Sequence, residues 1–334
     1  MTAAVLLSAL LAAGPPPGGE TPDATSTALA EARALVNQGQ PAAALQRLKG
    51  LDPQDPRVAH LMGVAHYHAD EPVQAIDRLL PVVDKLPKDS IERREAAQVL
   101  GLSLYVAGRF PECIPYLEQT RRWAADSSEL LYVLGNAYIQ TRQPDPAREV
   151  VARLFRVPPD SAAAHLLAAQ LMVHLEFEEL ADAQLRKALE RDPRIPLARY
   201  LLAQAAIFRG RLDEAVTLLE KELEVNPDNA MAFYRLGDAY SREERWDEAI
   251  VSLQKSIWLS PHFSGPYILL GKAYMKKDQS ATAEGMLRRA IGYDPNNKSA
   301  HYLLGQLLQR TGRAAEAKQE FDIAERLQGE PGRP

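Results

Sequence analysis

The sequence predicts an all-α fold in which pairs of amphipathic helices repeat along the chain, and three spacings carry that expectation. A small residue recurs at Ala32, Gly63, Gly101, Gly135, Ala169, Ala203, Gly237, Gly271 and Gly305, and from Gly101 onward the step is 34 residues six times running. Twelve residues after each comes a second small residue: Ala44, Ala75, Cys113, Ala147, Ala181, Ala215, Ala249, Ala283 and Ala317. Twelve further on stands proline, at Pro56, Pro87, Pro159, Pro193, Pro227, Pro261 and Pro295, with Ala125 the one break. Self-similarity at a fixed period of this length is the mark of a repeat architecture.

Each column has a physical reason. Glycine or alanine in the first helix, and alanine in the second, let the two backbones approach closely where they cross. Leucine precedes the first column at Leu100, Leu134, Leu202, Leu236, Leu270 and Leu304. Large apolar residues follow the second by four, on the same helical face: Leu117, Leu185, Leu219, Leu253, Leu287 and Phe321. Ala107-Gly108-Arg109, Arg209-Gly210-Arg211 and Thr311-Gly312-Arg313 place glycine where a helix end wants it, and proline marks the exit turn because it cannot continue a helix. The 24 prolines of this 334-residue chain are therefore expected to fall between helices rather than inside them.

Composition narrows the function classes. With 46% hydrophobic and 25% charged residues the chain is neither disordered nor a multi-span membrane protein. A net charge of −5, with both signs well mixed, argues against a nucleic-acid binder. The single cysteine, Cys113, excludes a disulfide framework and sits in the alanine column as a packed small residue. No phosphate loop, nucleophile elbow or paired-histidine zinc helix is present. His66 and His68 point to different helix faces, while His60 and His68 are two turns apart, about 12 Å, too far for one ion. These histidines are expected to be exposed or half-buried, and no cofactor is expected. Trp123, Trp246 and Trp258 are expected to pack at turns and repeat junctions.

Residues 1–13 include an uncharged apolar run, Ala3–Ala13, too short to span a bilayer and suited to the core of a secretory signal. A flexible Gly/Pro/Ser/Thr linker is expected over 14–26, the helical array over 27–327 and a disordered tail over 328–334. Export to the periplasm or beyond is favoured on the apolar run, with a cytoplasmic location the alternative, and no membrane span is expected.

The columns together resemble the tetratricopeptide repeat, most fully in Ala232-Phe-Tyr-Arg-Leu-Gly-Asp-Ala-Tyr240, Trp246-Asp-Glu-Ala-Ile250 and Pro261. Nine repeats cover about residues 25–327; the first keeps only Ala32, Leu35, Ala44, Leu48 and Pro56. Spacing is 31 between the first two and 38 between the next two, where Asp89 and Glu92 suggest a helix-start cap and an extra turn at the head of the third repeat. The resemblance implies a right-handed α-solenoid with a concave groove lined by the first helices, and a non-enzymatic scaffold binding a peptide or helical segment of a partner protein.

Positions three before, one after and five after the first column form one helical stripe on that face. They are Tyr132, Asn136, Gln140; Leu166, Gln170, His174; Tyr200, Gln204, Phe208; Tyr234, Asp238, Arg242; Ile268, Lys272, Lys276; and Tyr302, Gln306, Arg310. Of these, Tyr132, Asn136, Gln170, Tyr200, Gln204, Tyr234, Asp238, Arg242, Lys272, Lys276, Tyr302, Gln306 and Arg310 are the candidate binding residues. Tyrosines and amides suit peptide recognition, and the cations toward the C-terminus suit an acidic partner. Asn136 has Tyr132 where a carboxylate clamp would need lysine, so that family function is not carried over. A self-assembling array joined through a repeat end, a cytoplasmic adaptor, and a small-ligand or metal enzyme are the alternatives.

Overall fold

Helices fall where caps and breakers demand them. The computed structural model describes residues 24–125 and 127–329, which hold eighteen α-helices and no strand. They run α1 (Ala24–Asn37), α2 (Pro41–Leu48), α3 (Pro56–His68), α4 (Pro72–Leu79), α5 (Ile91–Val106), α6 (Phe110–Arg121), α7 (Ser128–Gln140), α8 (Pro144–Leu154), α9 (Ala162–His174) and α10 (Glu178–Arg191). There follow α11 (Ala198–Phe208), α12 (Leu212–Val225), α13 (Ala230–Arg242), α14 (Trp246–Leu259), α15 (Ser264–Lys276), α16 (Ser280–Tyr293), α17 (Lys298–Arg310) and α18 (Ala314–Gly329). The architecture is an all-α solenoid of helix hairpins. The chain divides within α10 into two compact units, one ending at Gln184 and the other starting at Leu185. Inside each unit a second helix packs both on its own first helix and on the next one, and first helices touch one another in α1–α3–α5 and in α11–α13–α15–α17.

The column of side-chain N-caps explains where first helices begin. Asp55, Ser90, Ser127, Ser161, Asn229 and Asn297 each accept a backbone N–H of the first turn, satisfying a donor the helix leaves open. α11 and α15 depart from this, with Leu197 and Phe263 at the cap and no side-chain cap bond. Leu197 is in the left-handed region at φ +72°, and its own N–H donates to the buried Glu222 of α12 at 2.7 Å. The hairpin turns also share one conformation. Gly108, Gly210 and Gly312 have positive φ, and so do Asp70, Arg142, Glu176, Glu244 and Asp278 at the same register. The turn geometry is thus common to repeats that lack the glycine.

The crossing inside each hairpin is the tightest point of the fold. A Cβ built on Gly63 would lie 2.4 Å from Leu79, on Gly101 2.9 Å from Leu117, on Gly237 2.5 Å from Leu253, on Gly271 2.6 Å from Leu287 and on Gly305 2.7 Å from Phe321. These partners are the large apolar residues four past the alanine column, and the alanines themselves, Ala75, Ala249 and Ala283 among them, are fully buried. Gly135 is the exception: its partner position holds Val151, and an added Cβ would meet nothing closer than 3.6 Å.

The first repeats depart from the 34-residue period in their second helices. α2 and α4 have only eight residues each, and the buried Val82, Val83 and Leu86 close the repeat from an irregular segment after α4. α5 has sixteen residues and carries the extra turn expected at its head. Its cap is Ser90, which accepts the Arg93 N–H at 3.1 Å, and not Asp89, whose φ of +63° takes it out of the capping conformation.

Just past that extra turn stands Glu95, the centre of a charge cluster on the first-helix face. Arg33 of α1 donates to both its oxygens, at 2.7 and 2.6 Å, and His60 Nε2 of α3 lies 2.9 Å away. His60 is only 2% exposed, which corrects the expectation of an exposed or half-buried ring; the Glu95 carboxylate holds it in place. Burial alone would raise the Glu95 carboxyl, but His60 and Arg33 outweigh it and hold the group down at about 2. Burial also lowers the His68 imidazole, against the pull of Glu95.

Two boundaries and two residue placements differ from expectation. α1 already includes Ala24–Ser26, because no breaker stands between Pro22 and Gly39 and Ala28, Ala32 and Val36 bury one face. α18 runs on through Gln328 and Gly329, since the next breaker is Pro331. Trp258 is 79% exposed rather than packed, and Pro115 lies inside α6 rather than between helices. The expected leader 1–13, residues 14–23 of the linker and 330–334 of the tail lie outside the described residues.

Two predictions follow from the crossings and the cluster. Gly237→Ala must push Leu253 aside and should lower stability by about 1–3 kcal/mol, whereas Gly135→Ala has room and should raise it by roughly 0.5–1 kcal/mol; urea unfolding of both variants distinguishes the signs. Glu95 titrates lower when folded than its ordinary 4.5, so its contribution is complete above that pH and is lost as pH falls toward about 2. Neutral His68 adds a loss that begins as pH falls below its ordinary 6.5. The urea midpoint should therefore fall in two steps on acidification. Glu95→Gln should abolish the lower step and cost roughly 3 kcal/mol at neutral pH.

Candidate functional site

In the unit starting at Leu185, the expected stripe lies on α11, α13, α15 and α17, four first helices whose neighbours touch. Tyr200, Gln204, Tyr234, Asp238, Ile268 and Lys272 are half-buried, while Arg242, Lys276, Gln306 and Arg310 are exposed. Tyr302 is 49% and Phe208 81% exposed. The position five after the small residue is therefore open on all four helices, and it carries Phe208, Arg242, Lys276 and Arg310 in turn.

The cations of this row have carboxylate or ring partners within the chain. Arg242 pairs with Asp238 at 3.1 Å, and Arg310 with Asp278 at 3.2 Å while also donating to the Met275 carbonyl. Lys276 Nζ stands 6.0 Å from the Trp246 ring. Lys272 has no such partner among the described residues. About half of the Arg242 and Arg310 side chains stays exposed, so the pairs are open to exchange with an incoming carboxylate.

At the other end of the stripe, Tyr234 packs edge-on to Phe263 with ring centroids 4.9 Å apart, and burial raises its phenol above the ordinary value. Beside it opens a pocket of about 560 Å³ lined by Tyr234, Phe263, Ile268, Leu269 and Leu303, with Ser264, Asn297 and Ser299 among its polar groups. Tyr302 leans on Phe321 at 5.7 Å. The aromatic positions thus serve the fold and the surface together.

In the unit ending at Gln184, Tyr132 is 43% exposed, Gln140, Leu166 and Gln170 are half-buried and His174 is exposed. Asn136 is only 7% exposed, so it offers little to a partner. The same stripe in the earlier repeats holds Arg33, His60, His68 and the buried Gln98, and Glu95 closes over it. Applying the stripe rule to Ala32 and Gly63 would have found the first three of these. Glu95 escapes the rule, because it stands six before Gly101, outside the three stripe positions.

A tyrosine column three after the small residue was also missed. Tyr138 donates to Glu118 at 2.7 Å, Tyr240 to Glu220 at 2.9 Å, and Tyr274 pairs with Gln254 at 3.1 Å, each binding a first helix to the second helix before it. Burial and the Glu220 carboxylate push the Tyr240 phenol up to about 12. Cys113 is fully buried, and burial raises its thiol to about 12, which leaves no thiolate for chemistry at neutral pH. Among the described residues no three His, Cys, Asp or Glu side chains are arranged to hold a metal ion, and no helix is long and apolar enough to cross a membrane.

No curated protein sequence matches the chain significantly. Solved structures that resemble it include MamA from Desulfovibrio magneticus RS-1, at 24% identity over 51% of this chain and 96% of that one, with a TM-score of 0.47. YrrB, described as a TPR protein with an unusual peptide-binding site, shows 22% identity over 54% and 93%, with a TM-score of 0.47. PilF of Pseudomonas aeruginosa shows 20% identity over 61% and 93%, with a TM-score of 0.49. At these values they say nothing of partner or process. Three models of the tetratricopeptide repeat match directly, one over residues 169–223, 200–257 and 268–331, a second over 104–171 and a third over 25–49. Matched by these models over well more than half its length, the chain belongs to the tetratricopeptide repeat family, whose helix-hairpin arrays are protein-interaction scaffolds.

Proposed function

We propose that the chain is a non-enzymatic scaffold whose first helices α11, α13, α15 and α17 seat an extended or helical segment of a protein partner. The observation that carries this reading is the open row of Phe208, Arg242, Lys276 and Arg310, one residue from each of four successive helices. An exposed aromatic in line with three cations suits a segment that offers an apolar anchor followed by acidic residues. Lys272 adds an unpaired charge beside the row, and the pocket at Tyr234 and Ile268 gives room for a second apolar side chain. The apolar run at residues 3–13 supports export, so the partner is sought outside the cytoplasm.

Phe208→Ala with Lys272→Glu tests the face without disturbing the fold, because neither side chain is part of the buried core; Tyr234, which packs on Phe263, is left intact. Crosslinking and affinity capture from native cells should lose the partner bands of the wild type, with helicity and melting unchanged. Capture equal to wild type would reject the face. Wild-type capture should also weaken as salt rises from about 0.1 M to about 1 M, since exposed charges are screened over that range. Fractionation that finds the chain in the cytoplasm with Met1 still in place would reject export.

A further inference from the structure

The second helices of the same unit leave one ring without a structural task. Trp258, near the end of α14, is 79% exposed. Its counterparts at the same register in this unit are Glu190, Glu224, Gly292 and Arg326, so repeat packing does not call for an indole there. The ring borders a pocket of about 500 Å³ between α12 and α14, lined also by Leu223, Leu259, Phe233, Lys255 and two carboxylates of α12, Glu220 and Glu224. Glu220 and Glu224 are four apart and share one helix face.

The polar groups of this pocket are in unequal states. Glu220 is engaged, accepting the Tyr240 hydroxyl at 2.9 Å. Lys255 is engaged as well, its ammonium 5.2 Å from the Phe233 ring. Among the described residues Glu224 has no hydrogen-bond or ion-pair partner, and Trp258 has no cation or ring against it. A free carboxylate beside a free indole, in a pocket that already holds one cation on an aromatic face, has the chemistry of a cation site.

We propose that this pocket is a docking site for an arginine of a protein partner, with its guanidinium stacked on Trp258 and forked toward Glu224. Arginine fits better than lysine because its planar, weakly hydrated head can lie on the indole and still offer paired donors to a carboxylate. Leu223 and Leu259 then receive the apolar neighbours of that arginine. The site is built on the second helices α12 and α14 with Phe233 of α13, and it shares no residue with the open row of Phe208, Arg242, Lys276 and Arg310, taking the opposite charge.

The test uses the full chain with ¹⁵N-labelled tryptophan, whose indole N–H signals for Trp123, Trp246 and Trp258 are assigned with Trp258→Phe. It is titrated with acetyl-Leu-Arg-Leu-amide and with the same peptide carrying lysine or citrulline. The Trp258 signal alone should move along a saturable, millimolar curve with the arginine peptide, roughly threefold more weakly with lysine and not at all with citrulline. Glu224→Gln, on an exposed residue that leaves the remaining spectrum native, should weaken the arginine curve by roughly threefold or more. Absence of a saturable shift, an equal shift with citrulline, or a curve unchanged by Glu224→Gln would overturn the proposal.

Discussion

The hairpin crossing, where a glycine or alanine of one helix lies under a leucine or phenylalanine of the other, governs everything else in this chain. With a Cβ excluded at Gly63, Gly237, Gly271 and Gly305, the backbones come as close as a leucine side chain allows. That distance sets the angle of each hairpin, and the hairpin angle sets how the next repeat stacks. The first-helix stripe is therefore a by-product of packing on an adjacent face of the same helices. Its residues are free to vary because the crossing already holds the helix in place.

Much of this was legible in the sequence because close packing restricts residue size at fixed positions. The small-residue columns, the leucine partners and the proline turns all recur for that reason, with Val151 opposite Gly135 and Pro115 inside α6 as departures. Polar contacts were less legible. Tyr138, Tyr240 and Tyr274 form a bonded column, yet Met172, Ala206 and Leu308 occupy the same register without it, so no strict period announces it. Glu222 stands where other repeats have Ala188, Ser256 and Ala290, and only the three-dimensional fold shows it reaching the start of α11.

The candidate face was legible in position but not in state. Periodicity says which residues share a stripe; it does not say that Asn136 is sheltered, that Arg242 and Arg310 are already paired, or that Phe208 stands free. These outcomes depend on side-chain length and on charges from neighbouring repeats, which vary independently of the packing columns. Trp258 shows the same limit from the other side. An aromatic residue near a junction reads as packing material until its surroundings are known.

The ion pair between Arg33 and Glu95 joins the first repeat directly to the third, passing over the helix of the second. In an array held only by adjacent contacts, the outermost hairpin can peel away while the rest stays folded. A link that skips one repeat removes that freedom: the first hairpin cannot leave without also exposing a buried carboxylate in the third. The degenerate first repeat, poorest in the family's packing residues and with a second helix of only eight residues, is thereby tied to the third repeat as well as to the second. Its weakness as a separate unit is offset by a contact that nearest-neighbour stacking does not supply.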